Sequence, residues 1–189
     1  MVVANPNTLK TIFSFEEYLK LEDISEIRHE FVNGNLKAMA GETMEHNDIA
    51  ANVLTTLKPI ARAKKCRVQI ETVRVQTGPN QYRYPDVFVA CAPRGSNPRL
   101  EQNPCFILEV LSESTQSEDF GPKVREYTRI PSLQVYVIAA QDKRSVTIYR
   151  RQVQGWVIEF LEGNGEIELP CLEARLSLDT IYEGLDLPV

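Results

Sequence analysis

Tyr84-Pro85-Asp86-Val87-Phe88-Val89-Ala90, then after a loop Phe106-Ile107-Leu108-Glu109-Val110-Leu111, then a polar run reaching Lys123 and Tyr127: the rest of the chain is read from this stretch. Two apolar segments of strand length each carry one carboxylate, and a lysine follows at helical spacing with Tyr127 and Ile130. Side chains alternate along a strand, so Asp86 shares a face with Phe88 and Ala90, and Glu109 with Ile107 and Leu111. If the strands pair, the two carboxylates meet on one face and repel unless a cation or a proton lies between them. Phe106 to Leu111 is apolar except for its glutamate, the pattern of a central strand buried on both faces. A carboxylate there carries a desolvation cost of several kcal/mol unless a cation compensates it. The plain alternative is a strand-end or rim carboxylate with no chemistry.

Hard oxygen ligands with room for water and phosphate suit Mg²⁺ or Mn²⁺, and a lysine beside them could position or deprotonate a water, so the pattern predicts a metal-dependent phosphodiesterase site. Pro85-Asp86, then Glu109 on a following strand, then Lys123 resembles the PD-(D/E)xK nuclease superfamily. A closer resemblance runs through Glu109-Val110-Leu111-Ser112-Glu113-Ser114-Thr115, Asp119, Lys123, Tyr127 and Ile130-Pro131-Ser132-Leu133. Those residues are similar to the Uma-type restriction-endonuclease-like proteins, a family abundant in cyanobacteria and mostly of unknown function, and the similarity extends from Phe15 to Leu185. The superfamily lysine usually stands two residues after the glutamate, where this chain has Leu111. In the Uma-type pattern it comes from the next helix, which matches Lys123. Gly121-Pro122 precede that lysine where the family often has helix formers, but proline is tolerated in a first turn, so a helix is expected to start near Pro122.

The resemblance implies an α/β fold with a mixed, restriction-endonuclease-like sheet flanked by helices and an antiparallel C-terminal extension. It also implies a Mg²⁺-dependent endonuclease, Mn²⁺ being acceptable, that cuts DNA; a homodimer is expected because two phosphodiesters on opposite strands are often cut by paired copies of one site. Asp86, Glu109 and the carbonyl of Val110 would hold the metal, and Lys123 would orient the attacking water. Glu30 is a third carboxylate by resemblance and a plain cross-strand partner by its own context. His46, near a helix start with no partner at metal spacing, is assigned a supporting contact with phosphate or water rather than ligation. The alternative function is an inactive nuclease-fold module for binding or dimerisation, which Leu111 and an acidic chain would fit.

The composition is that of one ordinary globular domain, residues 1–189, with 1–11 as a loose arm: 43% hydrophobic and 25% charged. No apolar run has membrane-span length and no signal core opens the chain, so a cytoplasmic protein without membrane contact is expected. Cys66, Cys91, Cys105 and Cys171 lack metal spacing and are expected to be buried, reduced thiols. A net charge of -5 argues against strong nonspecific nucleic-acid binding, although Arg62 to Arg67, Lys123 to Arg129, and Lys143 to Arg151 could gather cations on one side.

Elsewhere the periodicities predict further elements. Ser14-Phe15-Glu16-Glu17 is a capping box opening a helix through Leu21. Asn33-Gly34 marks a hairpin between His29–Val32 and Leu36–Met39. Ile49, Val53, Leu57 and Ile60 define a helix over 43–65 that Pro59 should bend or end. Arg67 to Val75 reads as one half-buried strand, on which Gln69 and Glu71 alternate opposite to the core and, like Glu30, are open to a place near the site or to simply facing water. Val135 to Ala140 reads as an apolar strand, followed by a hairpin-rich tail that a segment around Ile181 closes.

Overall fold

The computed structural model describes residues 12–39, 41–112 and 116–188, with the side chains of 116 and 117 left aside; the expected arm 1–11 and the motif residues 113–115 lie outside the described residues. The first helix, α1 (Phe15–Ile24), opens on the expected box: Glu17 N–H donates to Ser14 Oγ (3.2 Å) and Ser14 N–H donates to Glu17 Oε2 (2.8 Å). Strands β1 (His29–Val32) and β2 (Asn35–Ala38) flank Asn33 and Gly34, both at positive φ (51° and 90°), as a two-residue turn of this twist requires. Helix α2 (Met44–Ala63) is capped by Thr43 and runs unbroken past Pro59. Thr55, whose carbonyl loses its donor, and Pro59 are both exposed, so water reaches the carbonyl and the helix need not end.

Next come β3 (Arg67–Ile70), β4 (Arg74–Gly78), β5 (Gln81–Arg83), β6 (Val87–Ala90), the short β7 (Leu100–Glu101) and β8 (Phe106–Val110). The expected single strand over 67–75 is two strands in different sheets. At Glu71 φ turns to +27° and its N–H donates to the Pro85 carbonyl (3.1 Å), so the alternating letters continue while the chain changes sheet. Helices α3 (Gln116–Asp119) and α4 (Pro122–Tyr127) precede β9 (Val135–Ala139), and α4 starts at the proline as expected. Strands β10 (Ser145–Gln152), β11 (Gly155–Glu162) and β12 (Glu166–Leu169) lead through a 3₁₀ turn at Pro170–Leu172 to β13 (Ala174–Ser177) and α5 (Leu178–Ile181).

The six-stranded sheet has the order β11-β10-β9-β8-β6-β3, antiparallel except for β8–β9, whose crossover runs through α3 and α4. A five-stranded sheet, β2-β1-β5-β4-β7, stands beside it, and β12 pairs with β13. Alternation along β6 and β8 divides the core. Val87, Val89, Phe106 and Leu108 pack with Ile49, Val53 and Leu57 of α2, while Phe88, Ala90 and Ile107 pack with Tyr127, Ile130 and Leu133. Asp86 and Glu109 fall on the second face by the same alternation, the one covered by α4. The molecule therefore has the expected α/β architecture with a mixed sheet flanked by helices.

The cysteines depart from expectation. Cys66 is bonded to Cys91 and Cys105 to Cys171. The register Arg67↔Ala90 of the β3–β6 pair sets Cys66 opposite Cys91, a neighbourhood that 25 residues of separation hide in the linear chain. No helix among the described residues is long and apolar enough to cross a membrane.

Candidate active site

Antiparallel pairing of β6 and β8 runs from Val89↔Phe106 to Val87↔Leu108, so the next position would set Val110 against Pro85. Proline has no N–H to offer, and its carbonyl already accepts from Glu71. The Asp86 side chain takes over: Val110 N–H donates to Asp86 Oδ2 at 2.6 Å. One proline thus ends the ladder, fixes the Asp86 carboxylate and draws Glu71 to the same place. The carbonyl of Val110 faces the same strand edge as its N–H, toward Asp86.

Glu109 is held from the other side. Lys123 Nζ lies 3.0 Å from Glu109 Oε1, 2.9 Å from Asp119 Oδ1 and 3.9 Å from Glu30 Oε1, and Tyr127 donates its hydroxyl to Glu109 Oε1 at 2.6 Å. The one-turn spacing of Asp119, Lys123 and Tyr127 through α3 and α4 brings all three to one side. Leu111 is therefore no obstacle: the ammonium absent two residues after the glutamate arrives from the next helix.

Glu30, Glu42, His46, Asp86, Glu109, Val110 and Lys123, with Lys37 at the mouth, line one cavity of about 120 Å³. Every residue singled out in the sequence for a site thus comes to one place. Their surroundings refine the assignments. Glu30 accepts from Arg83 (2.7 Å), the centre of a buried network in which Arg83 also donates twice to Glu126 (2.8 Å each) and once to Glu118 (3.0 Å). His46 Nε2 is 3.3 Å from Asp86 Oδ1 and its Nδ1 3.7 Å from Glu42 Oε2, and neither nitrogen makes a hydrogen bond of normal geometry among the described residues. Ligand atoms of His46, Glu71 and Asp86 all lie within 4.8 Å of one another. Glu71, left open between facing water and a place near the site, is half-buried here, because the break after β3 turns it inward.

Electrostatics follow from burial. Desolvation pushes Glu109 well above the usual carboxylate range, with Asp86 and Asp119 adding to the rise and Lys123 opposing it. Burial opposes the charge on Lys123, but Glu109, Glu30, Asp119 and Asp86 outweigh it and hold the ammonium protonated. Burial also opposes charge on His46, and Asp86, Glu42 and Glu71 reverse the balance upward. Desolvation raises Glu42 and Glu71. Tyr127 and Tyr136 are driven up, first by burial and then by Glu109.

These shifts set an alkaline limit. Lys123, Tyr127 and Tyr136 keep protons in the folded state that the unfolded chain releases near 10.5 and 10.0. The stability they contribute is complete below about pH 10 and is lost as pH rises, by about 1.4 kcal/mol per pH unit for each proton. Thermal midpoints should fall steeply above about pH 10. An unchanged midpoint well above that pH would contradict the burial of these groups.

Basic clusters read from the sequence mostly serve the fold. Arg150 pairs with Glu159, Arg151 donates to the carbonyls of Leu133 and Ile130 and covers the Trp156 ring, Arg144 pairs with Asp179, and Lys143 with Glu162. Arg125 and Arg129 remain exposed on and just after α4.

A mixed sheet flanked by helices, with an acidic, lysine-bearing cavity where two central strands end, defines a restriction-endonuclease-like protein. The family model described as "Uma2: Putative restriction endonuclease" matches residues 15–180, and the chain belongs to that family. Two Synechocystis relatives, both described as uncharacterized, are slr1290 (30% identical, covering 98% of this chain and 99% of its own) and sll1609 (30%, covering 92% and 99%). A solved Anabaena variabilis structure described as a putative nuclease belonging to DUF820 superposes with a TM-score of 0.73 at 19% identity, over 89% of this chain and 97% of that one, and so supports the fold.

Proposed function

We propose that this chain is a divalent-cation-dependent endodeoxyribonuclease that hydrolyses a DNA phosphodiester in the cavity between β6, β8 and α4. The observation that carries the reading is the placement of the Lys123 ammonium 3.0 Å from Glu109, in a cavity that Asp86 also lines. DNA as substrate rests on the family description; the exposed Arg125 and Arg129 would meet its backbone.

The residues fit a metal. Six-coordinate ions with bonds of about 2.1 Å set ligands up to about 4.2 Å apart, and the His46, Glu71 and Asp86 atoms, all within 4.8 Å of one another with His46 Nε2 3.3 Å from Asp86 Oδ1, stand close to that spacing. Asp86 would be the central ligand, with Glu109 and the Val110 carbonyl completing the set from the β8 side. An imidazole among carboxylates favours Mn²⁺ over Mg²⁺ more than oxygen ligands alone would. When bound, the cation would polarise the phosphate and lower the pKa of a water. Lys123, firmly protonated, cannot take that water's proton; it orients the water and stabilises charge developing on phosphate oxygens. Glu42, whose carboxyl is raised by burial and lines the cavity, is suited to accept the proton.

Conversion of supercoiled plasmid in Mg²⁺ or Mn²⁺ tests the reading. Asp86→Ala and Glu109→Ala should each lower the rate by about 100- to 1,000-fold or more while the protein stays folded. Full cleavage by Glu109→Ala would sink the assignment. Absence of cleavage by the wild type would favour the inactive module, which the net charge of -5 also suits.

Cutting both strands of a duplex is commonly done by paired copies of one site, and β11 offers an edge for pairing. It is the outer strand of the six-stranded sheet and exposes Val157, Ile158 and Phe160. Sedimentation should give twice the 21.5 kDa chain mass, and Phe160→Lys should yield monomer. A wild-type monomer at working concentration would contradict the dimer.

A further inference from the structure

The four cysteines of the chain come from four separate places in the fold; three of them gather at one point and the fourth is bonded to one of these. Cys66 precedes β3, Cys91 follows β6, Cys105 precedes β8 and Cys171 lies in the 3₁₀ turn after β12. Beyond the two bonded pairs, Cys91 Sγ lies 3.9 Å from Cys105 Sγ, and the Sγ atoms of Cys91, Cys105 and Cys171 are all within 4.8 Å of one another. Cys66 is joined to this group through Cys91. Two independent crosslinks have no need to touch, whereas four thiolates around one soft cation do.

We infer that the cluster is a tetrathiolate site for a divalent cation of the zinc class, formed when its two disulfides are reduced. A tetrahedral site with zinc–sulfur bonds of about 2.3 Å has sulfur–sulfur edges of about 3.8 Å, close to the Cys91–Cys105 separation. Softness of the donors selects zinc-like ions against Mg²⁺ and Mn²⁺. Val68, Phe106 and Leu172 belong to the apolar cluster against which the cysteines pack. The chemistry balances: two equivalents of a dithiol reductant convert both disulfides to four thiols, each reductant leaving as its own disulfide. One Zn²⁺ then displaces four protons to give a dianionic thiolate complex.

The site is separate from the nuclease cavity. Asp86 and Cys91 lie at opposite ends of β6, about 16 Å apart along an extended strand, and Cys105 precedes β8 while Glu109 lies near its far end. Metal here would tie β3, β6 and β8 to the C-terminal elements and leave the carboxylates free.

The probe is Co²⁺ added to the full chain kept reduced by a phosphine, with folding followed by far-ultraviolet circular dichroism. The expected result is one equivalent of cobalt per chain in the tetrahedral thiolate form, read from its intense visible bands, which cobalt in the carboxylate cavity does not give, and displacement by Zn²⁺. Cys105→Ser and Cys171→Ser should each weaken the binding that produces the thiolate bands by more than the roughly 10- to 100-fold that loss of an outer partner costs, and Glu109→Ala, which touches only the carboxylate cavity, should keep those bands at full intensity. A reduced, folded wild type with four titratable thiols and no thiolate bands in excess cobalt would overturn the inference, as would bands that vanish in Glu109→Ala but persist in both cysteine variants.

Discussion

Lys123→Met should lose plasmid cleavage by at least about 100-fold and cost roughly 3 to 5 kcal/mol of stability. The ammonium is buried against Glu109 and Asp119, with Glu30 further off, and methionine fills the same space without charge. Removing one partner from a buried ionic group strands the others, which is the expensive way to break such a group. For a chain of this length each kcal/mol shifts the thermal midpoint by roughly 2 to 4 °C, so a drop of about 6 to 20 °C is expected. The pH dependence separates stranded charge from lost packing. Glu109, already raised by burial, loses the cation that opposed the rise, so the variant's folded state holds a proton that the unfolded chain gives up. The deficit should therefore shrink as pH falls through the range in which Glu109 takes up a proton in the variant but not yet in the wild type, and widen again on return. A deficit independent of pH would place the loss in packing.

The second large effect is at Arg83, whose side chain is only 3% exposed and donates to Glu30, Glu118 and twice to Glu126. Arg83→Leu leaves Glu30 and Glu126 buried without their cation and should cost roughly 3 to 5 kcal/mol in urea unfolding. Arg83→Leu/Glu126→Leu should recover part of that loss, since an apolar pair carries no desolvation debt, giving a coupling of about 1 kcal/mol or more. Strict additivity of the two substitutions would show that the fork is not an energetic unit. Because the network meets the cavity through Glu30 and through Lys37, which donates to Glu118 at 2.7 Å, its loss should loosen the site rather than remove its chemistry.

These residues also show what the linear chain reveals. Asp86 and Glu109 were legible because strand alternation is local and a lone carboxylate in an apolar strand has few explanations. Lys123 was legible from helical spacing with Tyr127 and Ile130, which fixed the face of α4 that meets the sheet. Glu71 was not, because its inward turn depends on a break that the alternation of 67–75 masks and that the Pro85 carbonyl completes from another strand. Arg83 was missed for a similar reason: its partners lie 35 to 53 residues away, and nothing near it in sequence announces a buried guanidinium. The cysteine cluster needed the β3–β6 register, which spacing alone does not supply. Asp119 and Tyr127 stood in the motif that carried the family resemblance, yet their roles, holding Lys123 and Glu109, are visible only in three dimensions.

The most direct measurement of the central claim is Mn²⁺ titration by calorimetry on the wild type, Glu109→Ala and Asp86→Ala, with plasmid cleavage by the same samples. The account predicts saturable binding and cleavage in the wild type, and loss of both in the two variants. Wild-type protein that neither binds Mn²⁺ nor cuts, or a Glu109→Ala variant that still does both, would contradict it.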